Sequence, residues 1–207
     1  MAVRDGERTR ESILAAAEDL FARQGFGGTS MQQVGDAAGV ARSTPAYFFR
    51  SKAALYEAVL ARAVRRAETA IGRAYEAAGD GHGSPADAVE SYVSAFVDFL
   101  AGDRTFVRLI QRESLGDGTR VAEFLRRLAD GAVDVATPAA EQAGIPPQRL
   151  VLDLIALCWF PLAHENTLLP ALEMDPREPA FLEEQKQHLA ELVRAITRTG
   201  EGRARGQ

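Results

Sequence analysis

A chain of 207 residues, 46% of them hydrophobic, is long and apolar enough for one fair-sized domain or a small domain on a larger one. Its net charge of −5 argues against a generally basic nucleic-acid binder, and its single cysteine, Cys158, excludes an internal disulfide and a cysteine-based metal cluster. The charged start MAVRDGERTR lacks the apolar core of a secretory signal, and no stretch approaches the ~18 uninterrupted apolar residues of a membrane span, so a cytoplasmic chain without a membrane partner is expected.

Nothing in the chain shows sustained strand alternation, and the expected fold class is all-α with about nine helices. The first helix is predicted over 7–24, with Ile13, Leu14, Ala17, Leu20 and Phe21 as its buried stripe and Gly25 closing it. Ser30 is placed to cap the next, with Gln33 three residues on as a capping-box partner. Met31, Val34 and Ala38 then recur at helical spacing, Gly39 supplies a left-handed stop, and Val40 tucks the turn back. A second short helix falls between Arg42 and Phe49. Two short helices around a glycine turn, the second opened by Arg42, Ser43 and Thr44, form a helix-turn-helix pattern, which presents its second helix to the major groove of double-stranded DNA. The charge balance is compatible: residues 1–78 hold 11 Lys and Arg against 9 Asp and Glu, so the net repulsion from phosphates lies in the remainder.

Ser51 caps a long fourth helix over 52–78, with Leu55, Val59, Ala63 and the stem of Arg66 on its first faces and Arg62, Arg65 and Arg66 keeping it wet elsewhere. Gly79 to Gly83 reads as the clearest linker. Ser84 and Pro85 open a helix through Leu100 that is apolar on most sides. Asp103 caps a shorter helix to about Leu115, Gly116 to Gly118 turn, and a helix over 119–143 carries Gly131 and Pro138, which are expected to bend or split it. The next helix starts at Pro146-Pro147 and is predicted to run on toward Leu169 with a bend at Pro161. A loop over 170–179 and a last helix over 180–199 complete the chain, with a frayed tail. A helix as apolar as 150–163 needs cover on every side, which a second subunit supplies and which a monomer with this helix at its centre also supplies.

From Arg10 to Leu60 the chain resembles the N-terminal domain of the tetracycline-repressor-like (TetR) family of transcriptional regulators. The resemblance rests on Arg10, Ile13, Leu14, Ala16, Ala17, Phe21, Gly25, Phe26 and Thr29, then Ala38-Gly39-Val40, Thr44, Phe49, Ser51-Lys52 and Leu55. It implies a DNA-binding domain over 1–52, and a helical ligand-binding and dimerisation domain over 53–207. It also implies a homodimer through the last two helices, a small apolar or amphipathic effector held among helices four to eight, no cofactor, and no enzymatic activity. Three positions depart from the family pattern: Ala41 replaces a common capping serine, Pro45 an aliphatic residue, and Ala46 a phosphate-contacting tyrosine. With Thr44 as cap, Pro45 falls at the favoured first helical position, so the recognition helix is expected to start late or with a loosened first turn. Gly35, in place of a frequent alanine, reads as a small loss of helix propensity.

The expected DNA-binding set divides into positioning and reading groups. Thr29 and Ser30 meet the phosphate backbone at the start of the first helix of the pair. Lys52 occupies the family's phosphate-binding lysine position. Tyr47 donates its hydroxyl to a phosphate while its ring packs underneath. Arg42, Ser43 and Thr44 are the base-edge candidates, Arg42 having the fork for a guanine. Tyr92, Phe96, Phe124, Trp159 and His164 are the candidates for lining an effector pocket, since they join apolar surface to polar handles. His82, His164 and His188 have no metal-ligand spacing, and Cys158 lies six residues from His164 on a different helical face. Phosphate-loop, dinucleotide and serine-elbow motifs are absent. The rival reading is a helical small-molecule carrier or enzyme with a vestigial helix-turn-helix. A repressor, which blocks a promoter by occupying an operator, is the reading preferred.

Overall fold

The computed structural model describes residues 2–77, 83–115 and 118–204. Most of the expected linker at 79–83, most of the turn at 116–118 and the last residues of the tail lie outside the described residues. Among the described residues there are ten helices and no strand: α1 Ala2–Gly28, α2 Met31–Ala37, α3 Thr44–Phe49, α4 Lys52–Ala77, α5 Pro85–Gly102, α6 Arg104–Ser114, α7 Thr119–Ala143, α8 Pro147–Ala163, α9 Leu168–Ala171 and α10 Pro179–Ala204.

These helices form two compact units that do not follow chain order. The first comprises Met1–Arg66 and Arg104–Leu125, the second Ala67–Asp103 and Arg126–Gln207. Helices α4 and α7 each begin in the first unit and end in the second.

In the first unit, α1 breaks at Gly25, where φ is +73° and ψ 175°. The chain leaves the helix there, as a residue without a Cβ allows. The core is the stripe Ile13, Leu14, Ala17 and Phe21 against Leu55, Val59, Leu60 and Ala63, all buried. Glu18 lies buried in the middle of it and is fully answered. Arg62 Nη1 donates to its Oε2 at 2.6 Å and Arg66 Nη2 to its Oε1 at 2.6 Å, while Arg62 Nε reaches Glu11 at 3.1 Å. Arg62 and Arg66 therefore clamp α4 to α1 instead of keeping α4 wet: their long stems carry the charge inward to a carboxylate that burial would otherwise penalise. At the open end of α1, Arg112 of α6 donates to the carbonyls of Ala22 and Arg23, and Tyr56 gives its hydroxyl to Glu113 at 2.5 Å.

In the second unit, Ser84 caps α5 by accepting from the Asp87 amide, with Pro85 in the first turn. Helix α7 continues unsplit through Gly131 and Pro138, and ends at Gly144, whose φ is +66°; the Ile145 amide reaches back to Ala140 at 3.0 Å. The expectation for α8 needs correcting. It does not bend at Pro161 and run on to Leu169, but ends at Ala163, two residues beyond the proline, and a separate short helix, α9, follows. Proline has no amide to offer the carbonyl of Leu157. That carbonyl instead accepts the Gln185 side-chain amide of α10 at 3.1 Å.

Candidate nucleic-acid interface and ligand cavity

The helix-turn-helix begins with a complete capping box. Ser30 Oγ accepts from the Gln33 amide at 3.2 Å, and Gln33 Oε1 accepts from the Ser30 amide at 2.8 Å. Gly39 takes φ +68°, and the Val40 amide bonds the Gly35 carbonyl at 3.0 Å, closing α2 as the sequence predicts. The role of Gly35 is different from the one expected. A Cβ there would stand 3.0 Å from Arg42 Cα and 3.2 Å from the Ala41 carbonyl oxygen, so the glycine lets the turn press directly onto α2. Sequence reading registers only the lost propensity, because the approach of Arg42 is a tertiary fact.

The recognition helix α3 starts late, at Thr44, as Pro45 implies. Ser43 rather than Thr44 sits at the cap, makes no side-chain cap bond, and leaves Pro45 in the first turn, where its missing amide costs nothing. The Thr44 amide bonds the Ala41 carbonyl at 2.8 Å, a tight turn leading into the helix. Over its six residues α3 buries Pro45 and Phe49, one turn apart, and that choice turns the intervening side chains outward. Arg42, Ser43 and Tyr47 are exposed and Thr44 is half-buried. Tyr47 is 84% exposed and meets the Phe48 ring edge to face, with ring centroids 5.4 Å apart. Its ring does not pack underneath, since the buried side of the helix is already filled by Pro45 and Phe49.

The remaining expected contacts are more engaged inside the fold. Thr29 is buried and gives its hydroxyl to the Gly25 carbonyl at 2.9 Å, closing the kink of α1; the amide of Ser30 is taken by its capping box. Lys52 Nζ donates to the Phe26 carbonyl at 2.8 Å and stands 4.4 Å from the centre of the Phe26 ring. An ammonium has three donors, so this bond fixes the position of Lys52 without exhausting it. Phe26 itself packs against both Phe21 and Tyr56, at centroid distances of 6.2 and 5.2 Å. Arg42 Nε donates to Asp36 Oδ1 at 2.9 Å, a bond that raises the pKa of the guanidinium. Asp36 is the partner that sequence reading missed.

In the second unit a narrow cleft of about 30 Å³ lies among α5, α7 and α8, walled by Val89, Tyr92, Val93 and Phe96, by Ala132, Val135 and Ala136, and by Val151, Leu154, Ile155 and Cys158. Of the expected lining residues it gathers Tyr92 and Phe96; Trp159 and His164 are not in its wall, and Phe124 belongs to the first unit. His164 ends α8 and lies 4.4 Å from the Phe160 ring. The wall's two polar groups are both held neutral. Burial, and then the charge of Glu68, raise the Tyr92 phenol, and burial pushes the Cys158 thiol up to about 12. At neutral pH the cleft thus presents almost wholly apolar walls and no charge to meet an ionic headgroup.

On α8, Leu152, Ile155, Leu157 and Phe160 are exposed apolar residues, with Leu152 at 57% and Phe160 at 50%. Leu152 and Phe160, eight residues apart, share the side of the helix that faces away from Leu154 and Cys158, while Ile155 stands at the edge of the cleft.

A capped helix-turn-helix on a helical scaffold with an apolar cleft defines a DNA-binding regulator of transcription, and the comparisons agree. Residues 13–59 match the family described as bacterial regulatory proteins, tetR family, and residues 85–193 match the tetracyclin repressor-like C-terminal domain. The chain belongs to the TetR family of transcriptional regulators. The HTH-type transcriptional repressor NicS of Pseudomonas putida is 27% identical over 179 residues, 82% of this chain and 82% of NicS. The HTH-type transcriptional activator FasR of Mycolicibacterium smegmatis is 29% identical over 128 residues, 62% of this chain and 57% of FasR. The crystal structure of the transcriptional regulator FadR from Bacillus subtilis, in complex with stearoyl-CoA, shares the fold with a TM-score of 0.68. It is 16% identical and covers 88% of this chain and 96% of its own.

Proposed function

We propose that the protein is a cytoplasmic, homodimeric repressor that binds a near-palindromic operator and is released by a small apolar or amphipathic effector. The observation that carries the DNA-binding part is the outward set Arg42, Ser43 and Tyr47, on a segment whose other face is anchored by Pro45 and Phe49. In this reading Arg42, Ser43 and Thr44 meet base edges, while Tyr47, Lys52 and the segment at Thr29 and Ser30 position the phosphate backbone. The exposed apolar side of α8 forms the dimer face together with α10. Repression is favoured by the similarity to NicS over 82% of the chain.

The effector is assigned to the cleft holding Tyr92 and Phe96. FadR was crystallised with an acyl-CoA; here the cleft, at about 30 Å³, is far smaller than the ~300–1,000 Å³ of ligand sites, so a ligand must widen it on entry, and its walls carry no ionised group. A compact neutral molecule, or the apolar part of an amphipath, fits it best. Such a ligand weakens DNA binding by its difference in affinity for the DNA-bound and free forms, and by no more than that.

Fluorescence anisotropy of labelled duplex DNA tests the reading. The affinity is expected to fall by about 10³ or more between 50 and 200 mM salt, as for six or more phosphate contacts, and 1-decanol is expected to release the DNA. A carrier with a vestigial motif would bind 1-decanol while leaving duplex DNA unbound at every salt concentration.

A further inference from the structure

Between Thr29 and Lys52 the chain has three cations, Arg42, Arg50 and Lys52, and a single carboxylate, Asp36. A carboxylate in a segment that faces phosphates is repelled by them, so for affinity alone Asp36 is a liability. It is nevertheless joined to Arg42, the side chain with the chemistry to read a guanine, through Arg42 Nε and Asp36 Oδ1 at 2.9 Å. Both side chains are exposed, and an exposed pair adds little to folding stability. What the pair does alter is the freedom of the arginine, whose Nε it holds.

Two restraints act on that arginine. Its backbone is pressed against Gly35 of α2, where even a methyl group would stand 3.0 Å from Arg42 Cα, and its Nε is bound by Asp36 from the last turn of the same helix. Binding at Nε leaves both Nη groups, the outer edge of the planar fork, without the carboxylate. That edge is the one that pairs with O6 and N7 of guanine. An unrestrained arginine with the same base would search many rotamers and settle as readily on a phosphate as on a base.

We propose that Asp36 is a specificity-determining residue, a positioning group that holds Arg42 by Nε so that its outer edge reads a guanine in the major groove. The inference rests on the proposed operator binding, and on Arg42 being a base-edge residue. Asp36 trades general attraction to DNA for discrimination at one base pair. The neutralised pair reduces non-specific attraction, while the fixed fork rejects bases that lack two acceptors on their major-groove edge.

Selection of duplexes from a random pool by the full-length protein, its Arg42→Ala form, its Asp36→Ala form and the isosteric Asp36→Asn form tests this. Wild type is expected to enrich a guanine in each half-site by about tenfold or more over other bases, and Arg42→Ala to erase that preference. Asp36→Ala is expected to reduce it below about threefold, while affinity for unselected duplex rises and the salt dependence steepens by up to about one unit of log–log slope. Asp36→Asn, which keeps an acceptor but not the charge, should fall between. A merely structural role for Asp36 would lower affinity for all sequences alike and leave the base preference intact, overturning the proposal. A tighter complex with unchanged preference would also overturn it, since Asp36 would then only mask Arg42. A guanine preference that survives Arg42→Ala overturns the inference while leaving operator binding intact. If wild type enriches no sequence, both the inference and the operator reading fall.

Discussion

Replacing Glu18 by alanine is expected to lower the stability of the folded protein by about 2 kcal/mol, the largest loss anticipated from any single polar side chain here. Removing one partner of a buried ion pair typically costs ~3–5 kcal/mol, because the charge left behind is neither solvated nor paired. Here the partners, Arg62 and Arg66, keep side-chain exposures of 26% and 37%, and water recovers part of the loss, which is why the lower figure is appropriate. At about 2–4 °C per kcal/mol for a chain of this size, the melting temperature should fall by about 4–8 °C. Glu18→Gln, which keeps a carbonyl acceptor for one arginine, should lose about half as much. Thermal denaturation followed by circular dichroism measures both. A melting temperature unchanged in Glu18→Ala would mean that the clamp between α1 and α4 contributes nothing, and that the helix-turn-helix is held by its apolar stripe alone.

Charging the exposed face of α8 is the second large effect. The double substitution Leu152→Asp, Phe160→Asp touches residues that are open to solvent in the single chain, so helix content should be retained. If that face closes a two-fold interface, four introduced carboxylates will meet across it, and light scattering should report a monomer. Operator affinity is then expected to drop by about a hundredfold or more, because each recognition helix must bind without its linked partner. A variant that remains dimeric, or a monomer that binds the operator as tightly as wild type, would place the dimer face elsewhere.

The helix-turn-helix was largely legible in the sequence because its determinants are local. Ser30 and Gln33 are three residues apart, Gly39 acts on its own backbone, and Pro45 delays α3 through its missing amide; each follows from spacing within one turn. What escaped was long-range or geometric. Glu18 falls on the same helical face as Leu14 and Phe21, a signal that it is buried. Its partners Arg62 and Arg66 lie 44 and 48 residues away; they fall on the same face of α4 as Leu55 and Val59, but nothing in the sequence says which carboxylate they meet. Asp36 and Arg42 are close in sequence, but their pairing depends on the turn pressing against Gly35, which is a matter of packing. Aromatic residues drew attention toward Trp159 and His164 as cavity walls. The cleft is instead built largely from small apolar residues, among them Ala132, Val135 and Ala136, one face of α7 that leaves room by virtue of its size. Pro161 was read correctly as a disruption but not as a terminus, because whether a helix resumes after a proline depends on what takes the released carbonyl. Here Gln185 takes it from α10.

Hydroxyl-radical footprinting of the protein on the duplex it most strongly enriches is the most direct measurement of whether two copies of this surface read one stretch of DNA. Two protected patches on the same face of the duplex, centred about 34–36 Å apart and lost together in the Leu152→Asp, Phe160→Asp variant, are predicted. A single patch that survives in that variant, or a duplex left unprotected, would contradict the account.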